Sequence, residues 1–190
     1  IEWTRKADGT FTYDYSAFDK YVALAMRCGI TDSISCYTVS SPRYFDEATG
    51  EYTSGGYTLE ALWRPFLKDF SEHLRQKGWL AKTALAMDEW PMERMLPMIQ
   101  FLREAAPELK IALAGSNHPE LADKIEDWCV FITPPLDPAI AKERSAKSLP
   151  TTTYICCGPG KPNTFTASPP AEATWLGWYC VFPHWLMKKT

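Results

Sequence analysis

"WLAKTALAMDEWPMERM", residues 79–95, decides how this chain is read. Ala84 to Met87 form an unbroken apolar run, the acids Asp88 and Glu89 follow at once, and Pro91 opens a new amphipathic stretch. A short continuous apolar run lacks the alternation of a strand with one wet face. It predicts a strand covered on both faces, which is the habit of parallel sheets flanked by helices. The acids then fall where such a strand ends, and parallel α/β folds gather their chemistry at strand carboxyl ends.

Outward from this stretch the same alternation recurs. Upstream, "LEALWRPFLKDFSEHLRQKG" predicts a long helix with Leu62, Phe66, Leu67, Phe70 and Leu74 as its inner stripe, Pro65 in its early turns and Gly78 at its end. Before it, "SAFDKYVALAMRCGI" predicts a helix capped by Ser16, with Phe18, Tyr21, Val22, Leu24 and Ala25 at helical spacing and Gly29 as terminator. "SISCYTV" predicts a buried strand at 33–39. Residues 1–15 read as a polar, aromatic lead-in with a turn at "ADGT", and residues 40–57 as one long loop. Downstream, "MERMLPMIQFLREAAP" predicts a helix that Pro97 kinks. "LKIALAGSN" predicts a strand, "PELADKIEDW" a short helix, "CVFITPP" a strand, "PAIAKERSAK" a helix, "TTTYICCG" a strand and "SPPAEATWLGWYCVFPHW" a last helix.

Five strands alternating with helices imply parallel strands joined by crossovers. A closed (β/α)₈ barrel needs eight strands and about 250 residues. The 190 residues therefore predict part of a TIM-type barrel or an open doubly wound sheet, built as one domain without an obvious linker. Neither GxGxxG nor a P-loop is present, which weakens a nucleotide-binding reading.

Composition narrows the function classes. The net charge of −3 offers no basic surface for nucleic acid. The longest apolar runs are too short to span a bilayer. No signal peptide is visible, and the chain begins at Ile1 rather than Met, which predicts a processed chain or a piece of a longer one. The six cysteines form no CxxC and no Cys/His set with zinc spacing, so free thiols are expected and neither a metal nor another cofactor is implied. Aromatic residues reach 14%, with eight Trp. Aromatic faces stack on sugars, although core packing accounts for most single rings. Nothing in the residues reports an oligomeric state.

The predicted strand ends bring together Tyr37, Asp88, Glu89, Asn117, His118 and Asn163 on one rim. Each has a local alternative: an acid after a strand also caps the next helix, His118 can order a turn before Pro119, and Asn163 lies in a Pro/Gly-rich turn. The adjacency of Asp88 and Glu89 is itself informative. Neighbouring Cα atoms lie about 3.8 Å apart, whereas glycosidases that use two carboxylates place them on opposite sides of the sugar, about 5–5.5 Å or 6.5–9.5 Å apart. Adjacent acids suit a different division of labour. One protonates the leaving oxygen. Its neighbour holds a 2-acetamido group whose carbonyl oxygen attacks the anomeric carbon, the substrate-assisted variant of the reaction. The nearby like charge also keeps one acid protonated near neutrality.

Taken together, "DGTFTYDYSAFDKYVALAMRCGI", "ISCYTV", "HLRQKGWLAKTALAMDEWP", "KIALAGSNH", "TTYICC" and "PNTFTASPPAEATWLGWY" resemble the catalytic barrel of glycoside hydrolase family 123. The phrases keep their order from about residue 3 to residue 180. The resemblance implies a (β/α)₈ barrel, usually preceded by a β-sandwich domain, and β-N-acetylgalactosaminidase activity with retention and no metal. It implies Asp88 as the residue that orients the 2-acetamido group and Glu89 as general acid/base, with Tyr37, His118, Asn163 and Trp175 lining the pocket. A GalNAc-containing glycan or glycolipid is the implied substrate, and export the implied localisation. Two departures stand out. Trp90 occupies the place where the resemblance leads one to expect Arg, and the first two strands, the closing strand and the sandwich have no counterpart, so about five strands of an incomplete barrel are expected. An inactive carbohydrate-binding remnant of the barrel is the alternative, and an unrelated open α/β enzyme a third reading.

Overall fold

The computed structural model describes residues 1–154 other than Thr38, Asp88 and Thr133, with Tyr37 described by its backbone alone. The last helix expected from "SPPAEATWLGWYCVFPHW", which carries Trp175, and the turn with Asn163 before it lie outside the described residues. Two compact units divide the chain, one comprising residues 1–86 and 90–110, the other residues 87–89 and 111 onward.

In the first unit the N-terminal residues are not a lead-in. Strands β1 (Glu2–Arg5) and β2 (Phe11–Asp14) form an antiparallel hairpin, with Trp3 opposite Tyr13. Its turn is closed by the Lys6 N–H donating to the Thr10 carbonyl at 2.8 Å, and by Asp8, whose carboxylate accepts from the Thr10 N–H and hydroxyl. Gly9 adopts φ +87°, a region costly for a side chain. The expected loop at 40–57 likewise contains a hairpin, β4 (Tyr44–Asp46) and β5 (Glu51–Thr53), and β4 pairs in parallel with β1. The result is a four-stranded sheet in the order β2-β1-β4-β5.

This small sheet packs on α2 (Leu59–Gln76) through a run of rings. Trp3 stacks on Phe66 at 4.4 Å between centroids, Phe66 on Phe70 at 5.3 Å, Phe70 on Tyr15 at 5.8 Å, and Tyr15 on His73 at 4.0 Å. Much of the aromatic excess is therefore core, each ring burying a large apolar area. The predicted stripe of α2 is confirmed: Leu62, Phe66, Leu67, Phe70 and Leu74 are all buried. Thr58 caps this helix by accepting from the Ala61 N–H, and Gly78 follows it at φ +71°. Pro65 sits inside the helix at its seventh residue, within its second turn.

Helix α1 (Ser16–Arg27) corrects the sequence reading in two respects. Its first-turn acceptor is Asp14, whose carboxylate takes the Ser16 N–H at 2.7 Å, so Ser16 is not the cap. Of the expected stripe only Val22 is buried, while Tyr21 is 74% and Leu24 49% exposed. Asp19 on this helix accepts from Lys77 and is bonded to His73, both at 2.7 Å. Burial alone raises the Asp19 carboxyl, but the bonds to Lys77 and His73 outweigh it and hold the group below its ordinary value. A depressed folded value stabilises above the unfolded carboxylate range, near pH 4, and the gain is lost as pH falls through the folded value. Asp19→Asn should therefore lower stability by about 0.5–1 kcal/mol at neutral pH, the scale of partly exposed pairs, and by nothing measurable at about pH 2. Urea midpoints at the two pH values check this.

Strands β3 (Ile34–Tyr37), β6 (Thr83–Met87), β7 (Lys110–Gly115), β8 (Asp127–Phe131) and β9 (Thr151–Tyr154) form the main sheet in that order. Every residue of β6 is buried, as its apolar run predicts. In the first unit β3 and β6 are parallel, with Ile34 opposite Thr83 and Tyr37 opposite Ala86. Among the described residues the sheet is open rather than closed into a barrel. Helix α3 (Met92–Ala105) continues through Pro97 and buries Met95, Ile99, Phe101 and Leu102.

In the second unit β7, β8 and β9 are parallel neighbours. The helix expected over "PELADKIEDW" is a single 3₁₀ turn, Pro119–Leu121, and its last two residues begin β8 instead. Alternation of half-buried and buried positions along β8 leaves Trp128 and Val130 in the core. Helix α4 (Pro138–Ala146) starts at Asp137, which accepts from the Ala139 N–H, with Pro138 in the first helical position. The guanidinium of Arg144 on α4 is 1% exposed and enclosed by oxygens. It donates from Nε to Thr151 Oγ1 at 2.7 Å, and from its terminal nitrogens to the carbonyls of Ala122, Ile125, Glu126 and Pro150.

Candidate active site

The site is built in the second unit, from strand ends. Glu89 lies two residues beyond β6 and is exposed. Gly115 is the last residue of β7 and Tyr154 the last of β9. Parallel pairing sets Gly115 beside Val130 and Phe131 beside Tyr154, so these residues share the carboxyl edge of their strands. That is the edge on which the sequence places its acids.

Tyr154 and Gly115 both bear on the placement of Glu89. The Tyr154 hydroxyl donates to Glu89 Oε1 at 2.7 Å. A bond of that length from a hydroxyl to a carboxylate is charge-assisted and stronger than a neutral one. On the Gly115 side, a Cβ added to the glycine would stand 3.0 Å from Glu89 Cγ and 3.7 Å from Oε1. Gly115 thus supplies a floor without a side chain, over which the Glu89 stem lies. The Tyr154 ring is itself placed by Phe131, at 5.5 Å between centroids, and the Ile132 N–H donates to the Tyr154 carbonyl at 3.1 Å.

Asn117 and His118 follow β7. Asn117 donates from Nδ2 to the Pro135 carbonyl at 3.2 Å, and its side-chain oxygen is buried with no hydrogen-bond partner among the described residues. His118 is half-buried at the start of the 3₁₀ turn, where its carbonyl accepts from the Leu121 N–H at 2.9 Å. Tyr37 ends β3 in the first unit. Asp88, Asn163 and Trp175 lie outside the described residues. In the first unit Trp90 carries the guanidinium of Arg94 over its ring, 3.8 Å from the centroid. A cation does accompany Trp90, but it comes from the next helix. Among the described residues no group of three His, Cys, Asp or Glu is placed to hold a metal ion, and no helix is long and apolar enough to cross a membrane.

Tyr154 and Gly115 escaped the sequence reading. Tyr154 closes a Thr-rich strand 65 residues from Glu89, and only strand order brings it near. Gly115 carried a weak signal, since a glycine at the end of an apolar strand marks a place where something approaches the backbone closely. A cavity of about 870 Å³ lies in the first unit, walled by Trp3, Phe18, Val22, Ile34, Phe66 and Leu85 among others. It is chiefly apolar and contains none of the predicted site residues.

Known proteins bear on this arrangement. The family model "Glycoside hydrolase 123, catalytic domain" matches residues 1–185. Among solved structures, a family 123 glycoside hydrolase from Clostridium perfringens, studied for glycolipid glycan hydrolysis, is similar at 29% identity with a TM-score of 0.72. That similarity covers 87% of this chain and 33% of the other, so the chain spans about a third of the length of that relative. No curated protein matches. On the extent of the family match, borne out by the structural similarity, the chain belongs to glycoside hydrolase family 123.

Proposed function

We propose that this chain carries the catalytic machinery of a glycosidase that cleaves β-linked N-acetylgalactosamine with retention, using the 2-acetamido group of the substrate as nucleophile. The observation that carries the proposal is Glu89, held by Tyr154 at the carboxyl ends of parallel strands and preceded directly by a second acid, in a chain of this family. Glu89 as a neutral acid gives its proton to the glycosidic oxygen. The acetamido carbonyl oxygen attacks the anomeric carbon as the bond to the leaving oxygen breaks. Asp88 accepts from the acetamido N–H and balances the positive charge of the oxazolinium ring. Glu89, now a carboxylate, takes a proton from water as that water opens the ring, which restores configuration and protonation. Tyr37, His118, Asn163 and Trp175 are assigned to the sugar pocket. The substrate is a GalNAc-containing glycan or glycolipid. The similar hydrolase from Clostridium perfringens, studied for glycolipid glycan hydrolysis, supports that class. An exported protein fits such a substrate.

The test compares nitrophenyl 2-acetamido-2-deoxy-β-galactoside with the analogue bearing a 2-hydroxyl. Removing an intramolecular nucleophile should slow release by at least about 10²-fold. Equal cleavage of the two overturns the acetamido mechanism. Saturable binding of N-acetylgalactosamine with no hydrolysis supports the carbohydrate-binding reading instead.

A further inference from the structure

We infer that Tyr154 is a positioning residue for Glu89: its hydroxyl, acting against the side-chain-free floor of Gly115, fixes the orientation of the carboxylate. The inference rests on the acid/base assignment for its catalytic meaning, but its geometry stands by itself. A general acid must point at one oxygen of the substrate, and a glutamate on an exposed strand end has three soft torsions that scatter it. Contacts with Tyr154 and Gly115 restrict that freedom here. The 2.7 Å bond from Tyr154 holds Oε1. The missing Cβ at Gly115 lets Cγ lie where a methyl group would be 3.0 Å away. Tyr154 is in turn seated on Phe131, so the donor itself sits on the end of a strand rather than on a loop.

The experiment compares steady-state rates of Tyr154→Phe and wild type across aryl 2-acetamido-galactosides of graded leaving-group acidity. Tyr154→Phe keeps the ring on Phe131 and removes only the hydroxyl. It should lower kcat/KM about tenfold for poor leaving groups and about twofold for good ones, because a misdirected acid costs most where the leaving oxygen needs its proton. A uniform loss across the series, or wild-type rates throughout, overturns the inference. Gly115→Ala provides an independent route that leaves the Tyr154 hydroxyl in place, because a Cβ there crowds the Glu89 stem at Cγ. It should show the same leaving-group split, and the double variant should lose no more than Tyr154→Phe alone. Losses that multiply overturn the inference. Full turnover in Glu89→Gln removes the acid/base assignment, whereas wild-type behaviour of Tyr154→Phe beside an impaired Glu89→Gln removes only the positioning role, so the two failures are distinguishable.

Discussion

Glu89→Gln should lower kcat/KM toward an aryl 2-acetamido-galactoside by about 10²–10⁴-fold, the contribution of a positioned general acid/base. The substitution is chosen because the amide oxygen can still accept from the Tyr154 hydroxyl, which the carboxylate does at 2.7 Å. The side chain also keeps its length over Gly115, where the fit to Cγ is close. What disappears is the transferable proton. The loss should deepen as the leaving group becomes poorer, since an alkoxide requires protonation more than a nitrophenolate does. Azide, a nucleophile that needs no general base, should restore part of the second step for substrates with good leaving groups. Asp88→Asn should behave differently, falling by a similar factor regardless of leaving group, because it acts on the acetamido nucleophile. Wild-type turnover in Glu89→Gln sinks the assignment, and steady-state rates across a leaving-group series measure it.

Arg144→Met should destabilise the folded protein by about 3–5 kcal/mol, the cost of breaking a buried, fully bonded charge arrangement. Arg144 is 1% exposed and surrounded by five oxygens, four of them backbone carbonyls. Its planar fork reaches acceptors in several directions at once. Burial pulls its proton affinity down, while the charges of Asp127 and Glu126 oppose that fall. Methionine approximates the volume and the packing against Trp128, whose ring lies 5.4 Å below the guanidinium carbon. It leaves the carbonyls of Ala122, Ile125, Glu126 and Pro150 without this donor, at about 1–3 kcal/mol for each that water cannot reach. Arg144→Lys retains charge but has three donors on one nitrogen, and should lose about 2 kcal/mol. Urea midpoints for both variants provide the check, with equal stability of Arg144→Met and wild type as the contrary result. The effect should reach the site, because Arg144 ties α4 to Thr151 and Pro150 at the start of β9, and β9 ends at Tyr154.

The local periodicities of the sequence carry much of this fold. The stripe of α2 and the unbroken run of β6 state their burial directly, since each reflects which faces of one element are covered. The short strands were illegible for an equally physical reason. β4 and β5 have three residues each, too few for a period, and β4 exists because β1 pairs with it from about forty residues upstream. Helix α1 shows the opposite error. Its apolar residues keep helical spacing, yet Tyr21 and Leu24 face outward, because spacing states that a stripe exists and not whether anything covers it.

The site divides the same way. The sequence by itself determined the family's phrases, the adjacency of Asp88 and Glu89, and their place after a buried strand, because these are properties of consecutive residues. Tertiary structure alone decided that Tyr154 meets Glu89 over Gly115. That meeting depends on the parallel order of strands and their register, in which residues 26 and 65 positions beyond Glu89 end at a common edge, and no local pattern encodes the register of one strand against another.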